Sequence, residues 1–226
     1  MTSPTCPPDG IAYEALIFDW DGTLVDSRGV CFDALTQAMA DAGAYLDPAW
    51  YWPRQAIASP DMLIEWETEF GRLPQPIEEI IHRCRAYVQA AAGDLKVLEE
   101  QAEIARAARG RGQRLAIGSN ASTNTVTAGL AATGLDVLFN AVVTWSDVPR
   151  GRGKPAPDIF LLAAQRLGVS PGRCLVYEDA EIGVDAALAA GMSVYNVQTM
   201  RLSAPPVATV NQSVREMTSV VSGAED

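Results

Sequence analysis

The stretch Ala15-Leu-Ile-Phe-Asp19-Trp-Asp21-Gly-Thr23-Leu-Val-Asp26-Ser27 restricts the possible folds of this chain more than any other. Four apolar residues run directly into two aspartates. A buried parallel strand that delivers charge at its C-terminal end reads this way, and open α/β sheets place their ligands at that end. Strand side chains alternate with period two. If the extended geometry continues past Asp19, Asp19 and Asp21 face one side and Trp20 the other, so both carboxylates share a site. An apolar strand entering an Asp-Gly turn is the competing explanation, and the remainder of the chain has to decide between them.

After Ser27 the pattern becomes helical, with Cys31, Leu35, Ala38, Met39 and Ala42 at helical spacings and Gly43 as a stop. Residues 27–92 read as wholly helical, with turns at Pro48, Pro53, Pro60, Pro74 and Pro76. Helix and short apolar strand then alternate: helix 95–109, strand Arg114–Gly118, helix 123–133, strand Ala141–Thr144, helix 157–167, strand Cys174–Tyr177, helix 181–190 and strand Ser193–Val197. This alternation predicts an α/β fold, a doubly wound parallel sheet, with an all-helical cap inserted after the first strand. The expected division is a disordered leader at 1–11, a core of 12–26 and 93–200, a cap at 27–92, and a C-terminal tail or final wrap at 201–226. Hinges are expected at Asp26–Gly29 and Ala91–Asp94.

With 226 residues, 48% of them hydrophobic, the chain has enough apolar surface for one substantial core and a smaller subdomain. Seventeen Lys and Arg against 28 Asp and Glu leave a net charge of -11, and no basic run could track a nucleic-acid backbone. No apolar run approaches membrane-spanning length, and the N-terminus lacks the pattern of a signal peptide. Cys6, Cys31, Cys84 and Cys174 form no C-x-x-C pair, which suits a reducing cytoplasm. An acidic protein that handles an anion needs a local positive site, supplied by a metal ion, a lysine or helix N-termini. The expected partner is a small anionic molecule, handled by a cytoplasmic monomer or weak homodimer with no nucleic acid and no membrane.

Three further strand ends carry suitable groups. Ser119 and Asn120 follow Ile117-Gly118, ahead of Ser122 and Thr123 at a helix start, where capping alone would explain the latter two. In Gly153-Lys154-Pro155-Ala-Pro157-Asp158, Lys154 precedes a proline-started helix. It is either an ordinary solvated lysine or the partner of an anion. Glu178 and Asp179 end the strand Cys174–Tyr177 and open an Ala-rich helix. Strand ends of one parallel sheet share an edge, so Asp19, Asp21, Glu178 and Asp179 can converge. Like charges about 4 Å apart repel by roughly 4 kcal/mol at an effective dielectric of 20, so such a cluster requires a counter-ion or raised pKa values. An all-oxygen set beside a phosphate points to Mg²⁺.

The segments FDWDGTLVDS, Ser119-Asn120, GKPAPDIF and YEDAEIGVDAALAAGM resemble, in order and spacing, the four motifs of the haloacid dehalogenase-like (HAD) superfamily. The helical insertion is similar to that of its beta-phosphoglucomutase-like branch, and the stretch from Lys154 to Met192 is most similar to small sugar-phosphate phosphatases. The resemblance implies that Asp19 is a nucleophile forming an aspartyl-phosphate and that Asp21 is the acid and then the base. It implies Mg²⁺ on the Asp19 carboxylate, the Asp21 backbone carbonyl and Asp179, with Glu178 a ligand or its neighbour. Ser119 and Lys154 would hold the phosphoryl oxygens, assisted by the Gly22 and Thr23 amides, with Asn120 alongside. The presence of Asp21 argues against the dehalogenase reaction, whose enzymes lack the second aspartate.

In the cap, Arg54, Ser59 and Asp61 are candidate substrate contacts. Cys31 stands where sugar-phosphate members often carry His, and the aromatic stretch Trp50-Tyr51-Trp52 reads first as core. Arg150 and Arg152 either reach a second anionic group or are solvated. The leading expectation is a Mg²⁺-dependent sugar-phosphate phosphatase. The alternatives are a phosphomutase of the same branch and a catalytically weak binding or regulatory protein.

Overall fold

A computed structural model describes residues 13–205. Its centre is strand β1 (Ala15–Phe18), with all four residues buried. The chain leaves through the two-residue β2 (Val25–Asp26), builds helices α1 (Arg28–Asp41), α2 (Pro48–Tyr51), α3 (Ser59–Phe70) and α4 (Ile77–Ala90), and returns through β3 (Lys96–Val97). It then alternates α5 (Glu99–Gly110), β4 (Arg114–Ser119), α6 (Thr123–Thr133), β5 (Ala141–Thr144), α7 (Asp158–Leu167), β6 (Cys174–Glu178), α8 (Glu181–Ala189) and β7 (Ser193–Asn196).

The main sheet has the order β5-β4-β1-β6-β7-β8 and is parallel except for β8 (Arg201–Ser203), which runs antiparallel to β7. Phe18 is in register with Ile117 on β4 and with Tyr177 on β6. The chain proceeds from β1 to one neighbour and later to the other, which makes the C-terminal end of β1 a topological switch point. Asp19 therefore leaves the sheet between the ends of β4 and β6.

The two faces of the sheet bury separate cores. Ala15 and Ile17 pack with Ile159, Phe160 and Ala187 under α7 and α8. Leu16, Phe18 and Trp20 pack with Ala105, Val126 and Tyr177 under α5 and α6. Phe18 stacks on Tyr177 at 4.7 Å between centroids, worth about 0.5–1.5 kcal/mol beyond area burial. The period-two alternation thus continues through Trp20, although the strand itself ends at Phe18. A third cluster, including Leu35, Met39, Trp50, Leu63, Ile80 and Ile81, unites the inserted helices.

Two local expectations are corrected. Helix 95–109 starts later, at Glu99, because Lys96–Val97 pairs antiparallel with Val25–Asp26. That ribbon clasps together the outgoing and returning chains. Arg201–Ser203, expected in the tail, adds an edge strand whose three residues are too few to show a period. The leader and residues 206–226 lie outside the described residues. No helix among the described residues is long and apolar enough to cross a membrane.

Candidate active site

The ends of β1, β4 and β6 and the loop before α7 bring Asp19, Ser119, Glu178 and Lys154 together. Lys154 is buried, and its Nζ donates to Asp19 Oδ1 at 2.6 Å and to Glu178 Oε2 at 2.7 Å. It also lies 4.9 Å from the Phe160 ring centroid. The other oxygen of Glu178 accepts the Asp179 and Ala180 amides, both at 3.1 Å. Glu178 thereby orients the ammonium and the start of the next loop at once.

Asp19, Glu178 and Asp179 each offer a carboxylate oxygen, all within 4.8 Å of one another. Three oxygen donors of this kind suit a hard divalent cation. Burial, followed by the neighbouring Glu178 carboxylate, pushes Asp19 up to about 8 despite the Lys154 ammonium. Burial and then Asp19 push Asp179 up to about 6. Burial alone would depress Lys154, but Asp19 and Glu178 hold it above its ordinary value. One ammonium facing three carboxylates leaves excess buried negative charge, which a bound cation would neutralise.

Asp21 occupies a different environment. Its Oδ1 accepts hydrogen bonds from the Ser27 hydroxyl and, at 3.9 Å, from the Cys31 thiol. Burial raises its carboxyl, outweighing the hydrogen bonds from Ser27, Cys31 and Ser119. Asp21 is outside the acidic trio. A carboxyl held separately with a raised pKa is suited to proton transfer near neutral pH.

Ser119 faces this site while its Oγ accepts the Ala121 amide at 2.9 Å. Asn120 also lines the cavity, and its side chain is held by the lysine loop and the cap. Its side-chain oxygen accepts the Lys154 amide at 2.8 Å, and its nitrogen donates to the Lys154 carbonyl at 3.2 Å and to the Ala56 carbonyl of the cap at 3.0 Å. With those bonds formed it is a clamp that positions the lysine loop. Gly153 permits the clamp, since a Cβ there would stand 2.7 Å from Asn120 Oδ1.

Gly22 and Thr23, whose amides were expected to assist, are outside the cavity lining. The Gly22 amide donates to the Val25 carbonyl at 2.8 Å, and the Thr23 side chain is buried. Gly22 has φ +83°, and a Cβ there would approach Asp179 Oδ2 to 2.4 Å. Gly22→Ala should therefore displace Asp179 and cost about 1–2 kcal/mol for the left-handed backbone. The check is thermal unfolding with and without Mg²⁺, which should show a lower melting temperature and a smaller response to the metal.

A cavity of about 150 Å³ opens above these groups, between the sheet edge and the inserted helices. Of the three expected cap contacts, Ser59 lines it and Arg54 and Asp61 do not. The Arg54 guanidinium lies 4.3 Å from the Trp50 ring centroid and pairs with Glu65 and Glu69, because the acidic face of α3 is nearer than the cavity. Trp50 and Tyr51 are buried in the cap core, with Tyr51 also touching the cavity. Arg150 pairs with Glu78 and Arg152 with Asp158, both away from the cavity. Sequence reasoning missed the partnership of Ser27 with Asp21, and it missed Gly183. A Cβ at Gly183 would come within 2.1 Å of the Glu178 carboxylate. The Ala-rich helix start carried that second signal.

A family model for haloacid dehalogenase-like hydrolases matches residues 13–191. The chain belongs to this family. It is an HAD-like phosphatase, a phosphoric monoester hydrolase. It is similar to protein CbbY of Rhodobacter capsulatus, 32% identical over 195 residues, covering 80% of this chain and 83% of the relative. It is 31% identical over 204 residues to the fructose-1-phosphate phosphatase YqaB of Escherichia coli, covering 83% of this chain and 98% of that protein. Among solved structures, CbbY from Rhodobacter sphaeroides in complex with phosphate aligns with a TM-score of 0.75 at 26% identity, covering 80% of this chain and 84% of that one.

Proposed function

We propose that this HAD-like phosphatase hydrolyses a small sugar phosphate in two steps through an aspartyl-phosphate on Asp19. The observation that carries the reading is the buried Lys154 ammonium bridging Asp19 and Glu178 beside Asp179, at the floor of the cavity. Asp19 attacks phosphorus, and Lys154 and Ser119 hold the phosphoryl oxygens while charge develops on them. Asp21, oriented by Ser27, donates its proton to the leaving oxygen. The same carboxylate then takes a proton from the water that releases phosphate from Asp19.

Asp19 and Asp179 would hold Mg²⁺, with the Asp21 carbonyl as implied by the family resemblance and Glu178 supporting the set through Lys154. The ion would supply charge neutralisation for the phosphoryl group. Sugar phosphates are favoured by the fructose-1-phosphate phosphatase relative and by the solved CbbY complex with xylulose-(1,5)bisphosphate, which is 25% identical with a TM-score of 0.75. A cavity near 150 Å³ is of the size that encloses one small ring. The test is phosphate release from a panel of sugar and other small-metabolite phosphates with Mg²⁺. Absence of turnover across the panel would overturn the reading.

The carboxylates also set a pH dependence for the metal-free protein. Asp179 at about 6 and Asp19 at about 8 both lie above the ordinary value of 3.8. Their contribution to stability is fully present below pH 3.8 and is lost as pH rises through 6 and then 8. Mg²⁺ selects the ionised forms, so it should raise the melting temperature little at pH 5 and increasingly toward pH 8. Thermal melts in chelator and in Mg²⁺ across that range measure the difference. An Mg²⁺ effect independent of pH would contradict the assignment of these ligands.

A further inference from the structure

We infer that Arg85 recognises a second acidic group, a carboxylate or a phosphate, at the far end of the substrate's leaving group. This deepens the phosphatase reading and rests on it. Arg85 is half-buried on α4 and lines the cavity, with its guanidinium carbon 5.9 Å from the Trp145 ring centroid. Among the described residues no carboxylate lies within ion-pair distance of it, whereas the other cavity cations are engaged. Lys154 bridges Asp19 and Glu178, and Arg28 pairs with Asp26 at 3.4 Å. A guanidinium offers five N–H donors in a planar fork and no acceptor. A partly desolvated guanidinium without a counter-charge is a group for which a ligand would supply the partner.

The surrounding wall has the same character. Trp145 also lines the cavity, and its Nε1 is buried without a hydrogen-bond partner. Ala121 and Ser122, which lead into the eleven-residue α6, line the same cavity, and Ser122 caps that helix. The four cavity carboxylates are Asp19 and Asp21, which follow β1, Glu178, the last residue of β6, and Asp179, which follows it. The cavity carboxylates thus gather about Lys154, while Arg85 and Trp145 add donors that no carboxylate engages.

The separation of these groups specifies the ligand further. Trp145 directly follows β5, which lies two strands from β1 across β4. Two strand spacings are about 10 Å, beyond the oxygens of a phosphoryl group seated on Asp19. A leaving group of about five to seven heavy atoms spans that distance. Ile57, Met62, Ile81 and Val88 of the inserted segment also line the cavity. The substrate class is a short phosphate monoester with a second acid at the opposite end.

Matched pairs test this with the full chain and Mg²⁺: fructose 1,6-bisphosphate against fructose 1-phosphate, and gluconate 6-phosphate against glucitol 6-phosphate. The wild type should favour the doubly acidic member of at least one pair in kcat/KM, and the preferred pair distinguishes phosphate from carboxylate. Arg85→Gln should lower kcat/KM for that member by about 10- to 100-fold and leave its singly acidic counterpart within about 2-fold, with Arg85→Lys restoring part of the loss. No preference in the wild type, or an equal loss on both members, would overturn the inference while leaving the phosphatase reading intact. If the wild type turns over nothing, the phosphatase reading falls. Calorimetric binding of the same pairs then decides Arg85, because selective loss of the doubly acidic ligand in Arg85→Gln supports it and any other result overturns it.

Discussion

Asp19→Asn should lower phosphate release by on the order of 10⁴-fold or more, the scale on which removal of a covalent nucleophile acts. The variant should still fold. Asn retains the shape of Asp and can accept the Lys154 proton while removing a buried carboxylate whose pKa is pushed up to about 8 by burial first and Glu178 second. In the absence of metal its melting temperature near pH 8 should equal or exceed that of the wild type. The stabilisation by Mg²⁺ should shrink, because one of the acidic trio is gone. Activity within tenfold of the wild type would exclude Asp19 as the attacking group. A steep fall in stability would instead assign the carboxylate a structural role.

Lys154→Met should produce the largest loss of stability of any change at the site. The ammonium is the buried cation between Asp19 and Glu178, and both side chains are at most 7% exposed. Removing one member of such a group strands the others in a medium that solvates them poorly, which costs about 3–5 kcal/mol. For a chain of this length that corresponds to roughly 10 °C in melting temperature. The loss should be greater at pH 8 than at pH 5, since both carboxyls have raised pKa values and protonation removes the charge left behind. Activity should be abolished at either pH, as the phosphoryl oxygens lose their lysine. Thermal melts at the two pH values with a parallel assay separate these effects. Undiminished stability at pH 8 would show that another cation reaches the pair.

The geometry also assigns unlike tasks to residues of one type. Asp19 and Asp21 are two positions apart, yet one faces Lys154 and the acidic trio while the other faces Ser27 and Cys31. The difference arises because β1 stops at Phe18 and the chain turns through Gly22, whose left-handed backbone leaves room for Asp179. Asn120 similarly joins three segments, linking the end of β4 to the lysine loop and to Ala56 of the inserted helices. It couples the position of Lys154 to the cap through the Ala56 carbonyl.

Much of the core was legible in the chain alone. Apolar runs ending in Asp19, Ser119 and Glu178 specify strands whose ends bear polar groups, because a parallel sheet buries its strands on both faces and leaves only their ends for function. Helix 123–133 was legible from its cap at Ser122, and the Trp20 alternation from period two. The short strands Val25–Asp26, Lys96–Val97 and Arg201–Ser203 were not, since two or three residues carry no periodicity and owe their conformation to a partner. Tertiary structure alone decided that Arg54 turns to Glu65, that Asn120 clamps a loop 34 residues away, and that Arg85 rather than Arg150 or Arg152 reaches the cavity. Long flexible side chains take whichever counter-charge folding brings nearest, and that proximity is a property of packed elements rather than of local sequence.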